Sequence, residues 1–214
     1  MESIIDGLIW YVYLIGIITF HEFGHAWMSS RCGDDTARLQ GRVTLNPMAH
    51  MDPIGTVLLP LLIIGLSVAN SSLANFIIGW GKPVPVNIFK LRNPNRDDLL
   101  VAMAGPAMNV VLAFVAVGVA RVGVMLQVEM LLEIGRSVAF LSMFLCFFNL
   151  LPVPPLDGSY IMRHLTGMTH ETFFRISRYG FFIVIVLINL DPVRNFLLNA
   201  TVGSVQLLRM VWFF

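Results

Sequence analysis

Charge is scarce in this 214-residue chain: Asp, Glu, Lys and Arg make up 13% of it, against 57% hydrophobic residues and a mean hydropathy of +0.77. That balance lies outside the soluble globular range and is that of a polytopic membrane protein. The 14 Lys and Arg are scattered and the formal net charge is +1, which excludes a nucleic-acid-binding surface and leaves membrane proteins and the lipid bilayer as expected partners. Only Cys32 and Cys146 occur, one beside a loop and one in an apolar stretch. Two such dissimilar sites exclude a disulfide framework, and both are expected as free thiols. Repeats and low-complexity tracts are absent too, which argues against an inverted-repeat transporter. The N-terminus carries Glu2 and Asp6 and lacks the basic n-region and cleavage site of a signal peptide, so its first apolar segment is expected to stay in the mature protein. The expectation is one membrane domain over 1–214, with a core at 1–165 and C-terminal helices at 170–214.

What the chain has in abundance is apolar length. Stretches able to span recur at 4–28, 54–69, 99–120, 130–151, 172–190 and 195–214, given about 20 helical residues per crossing. The second is short, is followed by Asn70-Ser71-Ser72, and returns over Leu73 to Trp80, a pattern that fits a re-entrant hairpin better than a crossing. The basic residues choose between the two. With a re-entrant second segment and the N-terminus outside, Arg31, Arg38, Arg42, Lys82, Lys90, Arg92, Arg96, Arg163, Arg175, Arg178 and Arg209 lie inside and only Arg121, Arg136 and Arg194 outside. That asymmetry obeys the positive-inside rule, whereas a full crossing leaves no bias. The expected fold is therefore all-α, with five to six transmembrane helices and a re-entrant segment. The last stretch, diluted by Asn199, Thr201, Gln206 and Arg209, is either a span or an interfacial helix. Residues 38–45 alternate polar and apolar and predict a short strand or hairpin at the cytoplasmic rim, and Pro83 to Phe89 a second extended piece confined to an edge by its prolines. Such an edge is suited to pairing with an unwound substrate.

Inside the first apolar run stands His21-Glu22-Phe23-Gly24-His25. On a helix, positions i and i+4 share a face, so both imidazoles can bind one metal while Glu22, one residue round, meets a water on it. A chance match or a polar packing contact is the competing reading. Depth in lipid weighs against it, because a buried ionisable group costs about 2.5 to 3.5 kcal/mol on insertion scales and persists where it has a task or a partner.

A catalytic zinc keeps three protein ligands and an open fourth position, so another group must come from elsewhere. The candidates are Asp157, His50, Asp52, His164 and His170. Asp157 stands out because it follows Asn149-Leu150-Leu151-Pro152-Val153-Pro154-Pro155-Leu156, where prolines break an apolar helix that restarts near Leu156. Broken helices at membrane depth are tolerated where the freed backbone lines a wet cavity. Alone, Asp157 is better read as a helix cap. Beside the His motif, the ligand role becomes the stronger reading. His50 and Asp52 are read as loop residues.

These residues resemble the site-2 proteases, which combine His-Glu-x-x-His on one transmembrane helix with a proline-rich Asn…Leu-Asp-Gly segment on another. The matches are His21, Glu22 and His25, then Asn149 and Leu156-Asp157-Gly158. The resemblance extends to Gly105-Pro106-Ala107-Met108-Asn109 at the start of the third helix, to His50-Met51-Asp52-Pro53-Ile54-Gly55 and to residues 79–87, covering most of 15–165. It implies one Zn2+ per chain held by His21, His25 and Asp157, Glu22 as general base, Asn149 steadying the reacting carbonyl, and a site near the cytoplasmic face. The implied substrates are single-span membrane proteins or remnant signal peptides. PDZ and CBS domains, common in the family, have no counterpart here, which is the family's compact form. Asn149 is equally readable as a helix-end hydrogen bond, and Gly105, Pro106 and Asn109 as determinants of the fold. Residues 172–214 carry no visible chemistry and are expected to pack, gate or oligomerise. The competing function is a metal or ion transporter lined by the same His and Asp groups; Glu22 between the histidines argues against it.

Overall fold

Residues 2 to 31 contain no proline and, between Asp6 and His21, no charged group, and they form one continuous helix, α1 (Glu2–Arg31). At 30 residues it is about 45 Å long, more than a bilayer's hydrocarbon thickness. The computed structural model describes residues 2–68 and 80–213, and among them there is no β-strand. After α1 come the single turn α2 (Thr36–Leu39), a π-helical turn Pro53–Leu58 running into α3 (Leu59–Val68), then α4 (Pro94–Leu126) and α5 (Glu129–Asn149). The chain ends in α6 (Gly158–Thr166), α7 (His170–Ser177), α8 (Gly180–Ile188) and α9 (Asp191–Val211).

The bundle is built on α4. It pairs with α5 through a turn at Gln127, whose left-handed φ of 55° reverses the chain, and it receives α1 on another side. Small residues let the backbones approach: Ala113, Ala116, Ala120 and Ala139 are buried, and a Cβ on Gly135 would meet the Ala116 carbonyl oxygen at 2.5 Å. In lipid, where apolar tails offer helices no hydrophobic drive to associate, such close contact supplies the packing energy. Ile5 and Val12 of α1 and Val111 and Val115 of α4 stay exposed, an apolar exterior suited to acyl chains.

Three expectations are corrected. Three helices among the described residues are long and apolar enough to cross a membrane, Ile4–Arg31, Pro94–Leu126 and Glu129–Asn149, rather than five or six. A fourth span exists only if α8 and α9, bent 78° apart, count as one. Stretch 172–190 fails as a span because its first half carries Arg175 and Arg178 and closes as a separate short helix, α7. α9 instead folds back on the bundle, where the Trp212 indole N–H donates to the Phe114 carbonyl at 3.1 Å. The turn and return of the re-entrant hairpin fall largely in 69–79, outside the described residues.

The hairpin at 38–45 is also absent. Asp34 accepts from the Thr36 N–H at 3.0 Å and starts the α2 turn, which the Arg42 N–H closes on the Ala37 carbonyl. Local capping thus outcompetes the alternation, leaving Leu39 75% exposed while Arg42 is buried. Residues 83–87 are irregular with no ladder partner and end in a 3-10 turn at Ile88–Lys90. Finally, α4 begins at Pro94, not at Gly105-Pro106, so Pro106 lies inside the helix.

Candidate metal centre and cavity

His21 and His25 sit on one face of α1, both buried, with their Nε2 atoms 3.0 Å apart. Asp157 reaches them from the α5–α6 break, its Oδ2 3.2 Å from His21 Nε2 and its Oδ1 3.4 Å from His25 Nε2. Asp157 stands at the N-cap position of α6 yet its side chain caps no N–H. The cap role that the sequence allows is therefore not taken, and the carboxylate is left for the histidines. Among the described residues, this trio is a group whose ligand atoms all lie within 4.8 Å of one another.

The donor chemistry fits a cation. His25 Nδ1 lies 2.7 Å from the Val101 carbonyl oxygen, which only accepts, so Nδ1 carries a proton and, in the neutral ring, Nε2 presents its lone pair towards Asp157. That lone pair and the carboxylate repel unless a positive charge, a second ring proton or a metal ion, lies between them. Asp157 Oδ2 is buried and has no hydrogen-bond partner of acceptable geometry. The separations of 3.0, 3.2 and 3.4 Å approach the edge of about 3.3 Å in a tetrahedron with zinc bonds of about 2.0 to 2.1 Å.

Gly105 is what makes room for the two rings. A Cβ there would collide with His25 Nε2 and would meet His21 Cε1 at 2.7 Å. Gly24 does the same for the backbones, since a Cβ would meet the Ala104 carbonyl oxygen at 2.6 Å. The sequence shows a glycine and proline interrupting an apolar run but not that the glycine faces imidazoles.

The trio opens into a cavity of about 740 Å³ whose wall also includes Glu22, Asn149, Asp98 and Tyr160 among largely apolar neighbours such as Leu14, Ile18, Ile63 and Phe148. Glu22 faces the segment at Gly81, where an added Cβ would stand 3.4 Å from its Oε1. That segment is strapped in place: Lys82 N–H donates to the His50 carbonyl at 2.9 Å, Trp80 N–H to that of Gly55 at 3.1 Å, and Arg42 donates to the Lys82 carbonyl. Burial pushes the Arg42 guanidinium down from its ordinary value, with the Glu22 carboxylate opposing. Asn149 ends α5 and donates its amide N–H to the Leu145 carbonyl at 2.9 Å, leaving a second N–H on the same nitrogen.

The other candidates lie apart from the trio. His50 is buried and its Nε2 is 2.8 Å from the Thr44 carbonyl oxygen. Asp52 caps the π-helical turn, accepting from the Ile54 and Gly55 N–H groups at 3.0 and 2.7 Å. His164 is exposed, and His170 opens α7. Cys32 and Cys146 are free and buried, as expected. Sequence reasoning missed Asp98, whose buried ion pair with Arg163 ties the start of α4 to α6. Stacking of the guanidinium near the Tyr160 and Phe173 rings, 5.6 and 5.5 Å from their centres, completes that clamp.

Comparison with known proteins agrees with this arrangement. The model for peptidase family M50 matches residues 9–137 and 125–190. The chain is 36% identical over 184 residues to "Putative zinc metalloprotease YwhC" of Bacillus subtilis, covering 82% of this chain and 78% of that protein. It is 32% identical over 180 residues to "Putative zinc metalloprotease Rip2" of Mycolicibacterium smegmatis and 30% over 183 residues to its namesake in Mycobacterium tuberculosis. It covers 65% of the length of each of these two mycobacterial relatives. No solved structure matches the chain. The chain belongs to peptidase family M50.

Proposed function

We propose that the protein is an intramembrane zinc metalloprotease that hydrolyses peptide bonds within or near transmembrane segments. The observation carrying this is the convergence of His21 Nε2, His25 Nε2 and the Asp157 carboxylate on one point beside Glu22, at the wall of a largely apolar cavity. Family membership supports it, as do the names of the relatives, and a transporter is not favoured.

His21, His25 and Asp157 would hold the ion. When bound, zinc would lower the pKa of water towards about 7 and polarise a carbonyl. Glu22 accepts the proton as general base and returns it to the leaving amine. Asn149, on the cavity wall, would offer its remaining amide N–H to the charge developing on the carbonyl oxygen. The apolar wall excludes bulk water and accommodates the side chains of a membrane-derived substrate. A helical substrate hides its carbonyls in its own hydrogen bonds, so it unwinds locally before attack. Single-span proteins and remnant signal peptides are the substrates that suit such a site.

Orientation follows from charge. With α1, α4 and α5 as spans, the segments joining α1 to α4 and following α5 hold Arg38, Arg42, Lys82, Lys90, Arg163, Arg175 and Arg178, and the positive-inside rule assigns them to the cytoplasm. His25 lies six residues before Arg31, so the site is about 9 Å below that end of α1. The bacterial sources of the relatives support a bacterial membrane, and the charge asymmetry supports a site facing inward. The test is E22Q in the full chain: zinc content by elemental analysis stays at wild-type level while cleavage of a panel of single-span substrates in detergent disappears. Loss of cleavage together with zinc, or unchanged cleavage, would overturn the assignment.

A further inference from the structure

Each histidine of the pair has a second ring nitrogen, and α4 meets both. For His25 the partner is the Val101 carbonyl, which sets its tautomer outright. For His21 it is Asn109, fully buried, with an amide atom 3.1 Å from His21 Nδ1. With Nδ2 in that place, Asn109 Oδ1 is left buried without a partner. The nitrogen and oxygen of an amide are exchanged by a half-turn of the group, so the ring decides which one faces it.

We propose that Asn109 is a positioning residue for the metal, its amide oxygen accepting the Nδ1–H of His21 so that the Nε2 lone pair is directed at the shared site with His25 and Asp157. This rests on the zinc reading above. An Nδ2–H facing the ring would draw on the Nδ1 lone pair, force the proton onto Nε2, and aim it at His25 Nε2 only 3.0 Å away, where a ligand is needed. Asn109 is also placed for the task mechanically: it lies on the same helix as Gly105, which clears the rings, and as Val101, which orients the other imidazole. One rigid helix thus sets the rotation of both rings. Asn109 does not touch substrate or water; it acts through His21.

The experiment is zinc competition against a chelator on the full chain in detergent, comparing wild type with N109L and N109D. N109L should weaken zinc binding about 10- to 100-fold, whereas N109D, which keeps an oxygen acceptor, should stay within about threefold of wild type. A purely packing role reverses that order, since leucine suits an apolar bundle and a buried carboxylate does not. Wild-type zinc affinity in N109L, or a loss in N109D as large as in N109L, overturns the proposal. Should N109L not fold, N109A carries the same expectation. Imidazole 15N spectra of the zinc-loaded wild type should in any case show His21 protonated at Nδ1; a proton on Nε2 overturns the proposal. A wild type that takes up no zinc sinks the metalloprotease reading itself, which separates the two failures.

Discussion

His25 Nδ1 lies 2.7 Å from the main-chain carbonyl oxygen of Val101, 76 residues later in the chain. An orienting group supplied by backbone cannot be deleted by changing the side chain at 101. V101A is therefore expected to keep zinc affinity within about threefold of wild type, in contrast to loss of a side-chain partner, which costs about 10- to 100-fold. Chelator competition on the two classes of variant checks this.

Gly105 predicts a sharper effect. G105A adds one methyl group directly against the two imidazoles, and both neighbours are ring atoms held by hydrogen bonds. The expected outcome is zinc content reduced at least about tenfold, in the range of lost orienting contacts, while α-helical circular dichroism is unchanged. Normal zinc uptake by G105A would mean that the rings move aside freely.

Glu22 and Asp157 should separate chemistry from binding. E22Q removes the proposed base and should lower cleavage about 10²- to 10⁴-fold with zinc retained. D157A should lose the metal, and with it cleavage. Parallel measurement of zinc content and peptide-bond hydrolysis distinguishes them.

The Asp98–Arg163 pair is buried at both ends, so removing one partner removes a buried charge–charge contact. R163M is expected to destabilise by about 3 to 5 kcal/mol, whereas the double variant D98L/R163L should be milder, because it removes both buried charges together. Thermal denaturation in detergent, read with zinc content, checks both the stability and the hold on the helix that follows Asp157.

Asp34 gives a pH dependence at the turn that follows α1. Burial alone raises its carboxyl pKa, but hydrogen bonds from Thr36 Oγ1, the Asn87 and Thr36 N–H groups and Ser29 outweigh it and hold the value below the ordinary 3.8. A lowered folded-state pKa stabilises the fold above the unfolded value and loses that contribution as pH falls through the folded one. The Asn87 N–H, which donates to Asp34 Oδ2 at 2.7 Å, should thus stay protected at pH 5 and above and lose protection as pH falls below 3.8. D34N should lower the protection factor of that N–H at neutral pH about tenfold or more relative to wild type, since a hydrogen bond to a charged group contributes about 1.5 to 3 kcal/mol.

How much of this was legible in residues alone differs by element. The long apolar helices were, because composition and length are local properties; α1 and α5 fall close to their apolar runs. The hairpin at 38–45 was misread because alternation looks the same in a strand and in a capped turn, and only the Asp34 hydrogen bonds distinguish them. Stretch 172–190 was misread because hydropathy averages over the polar turn that divides it. At the site, the His pair was readable from its spacing, while Val101, Gly105 and Asn109 carry no signal of contact with it.

By itself, the sequence determined that two imidazoles and a carboxylate share one stretch of an apolar helix, since a 3.6-residue period follows from backbone geometry and needs no neighbour. Only the tertiary structure decided how each ring is turned and how few of the described helices are long and apolar enough to cross a bilayer. Those outcomes depend on contacts between segments far apart in the chain, and such contacts are set by close packing around small residues on α4, for which no local pattern exists.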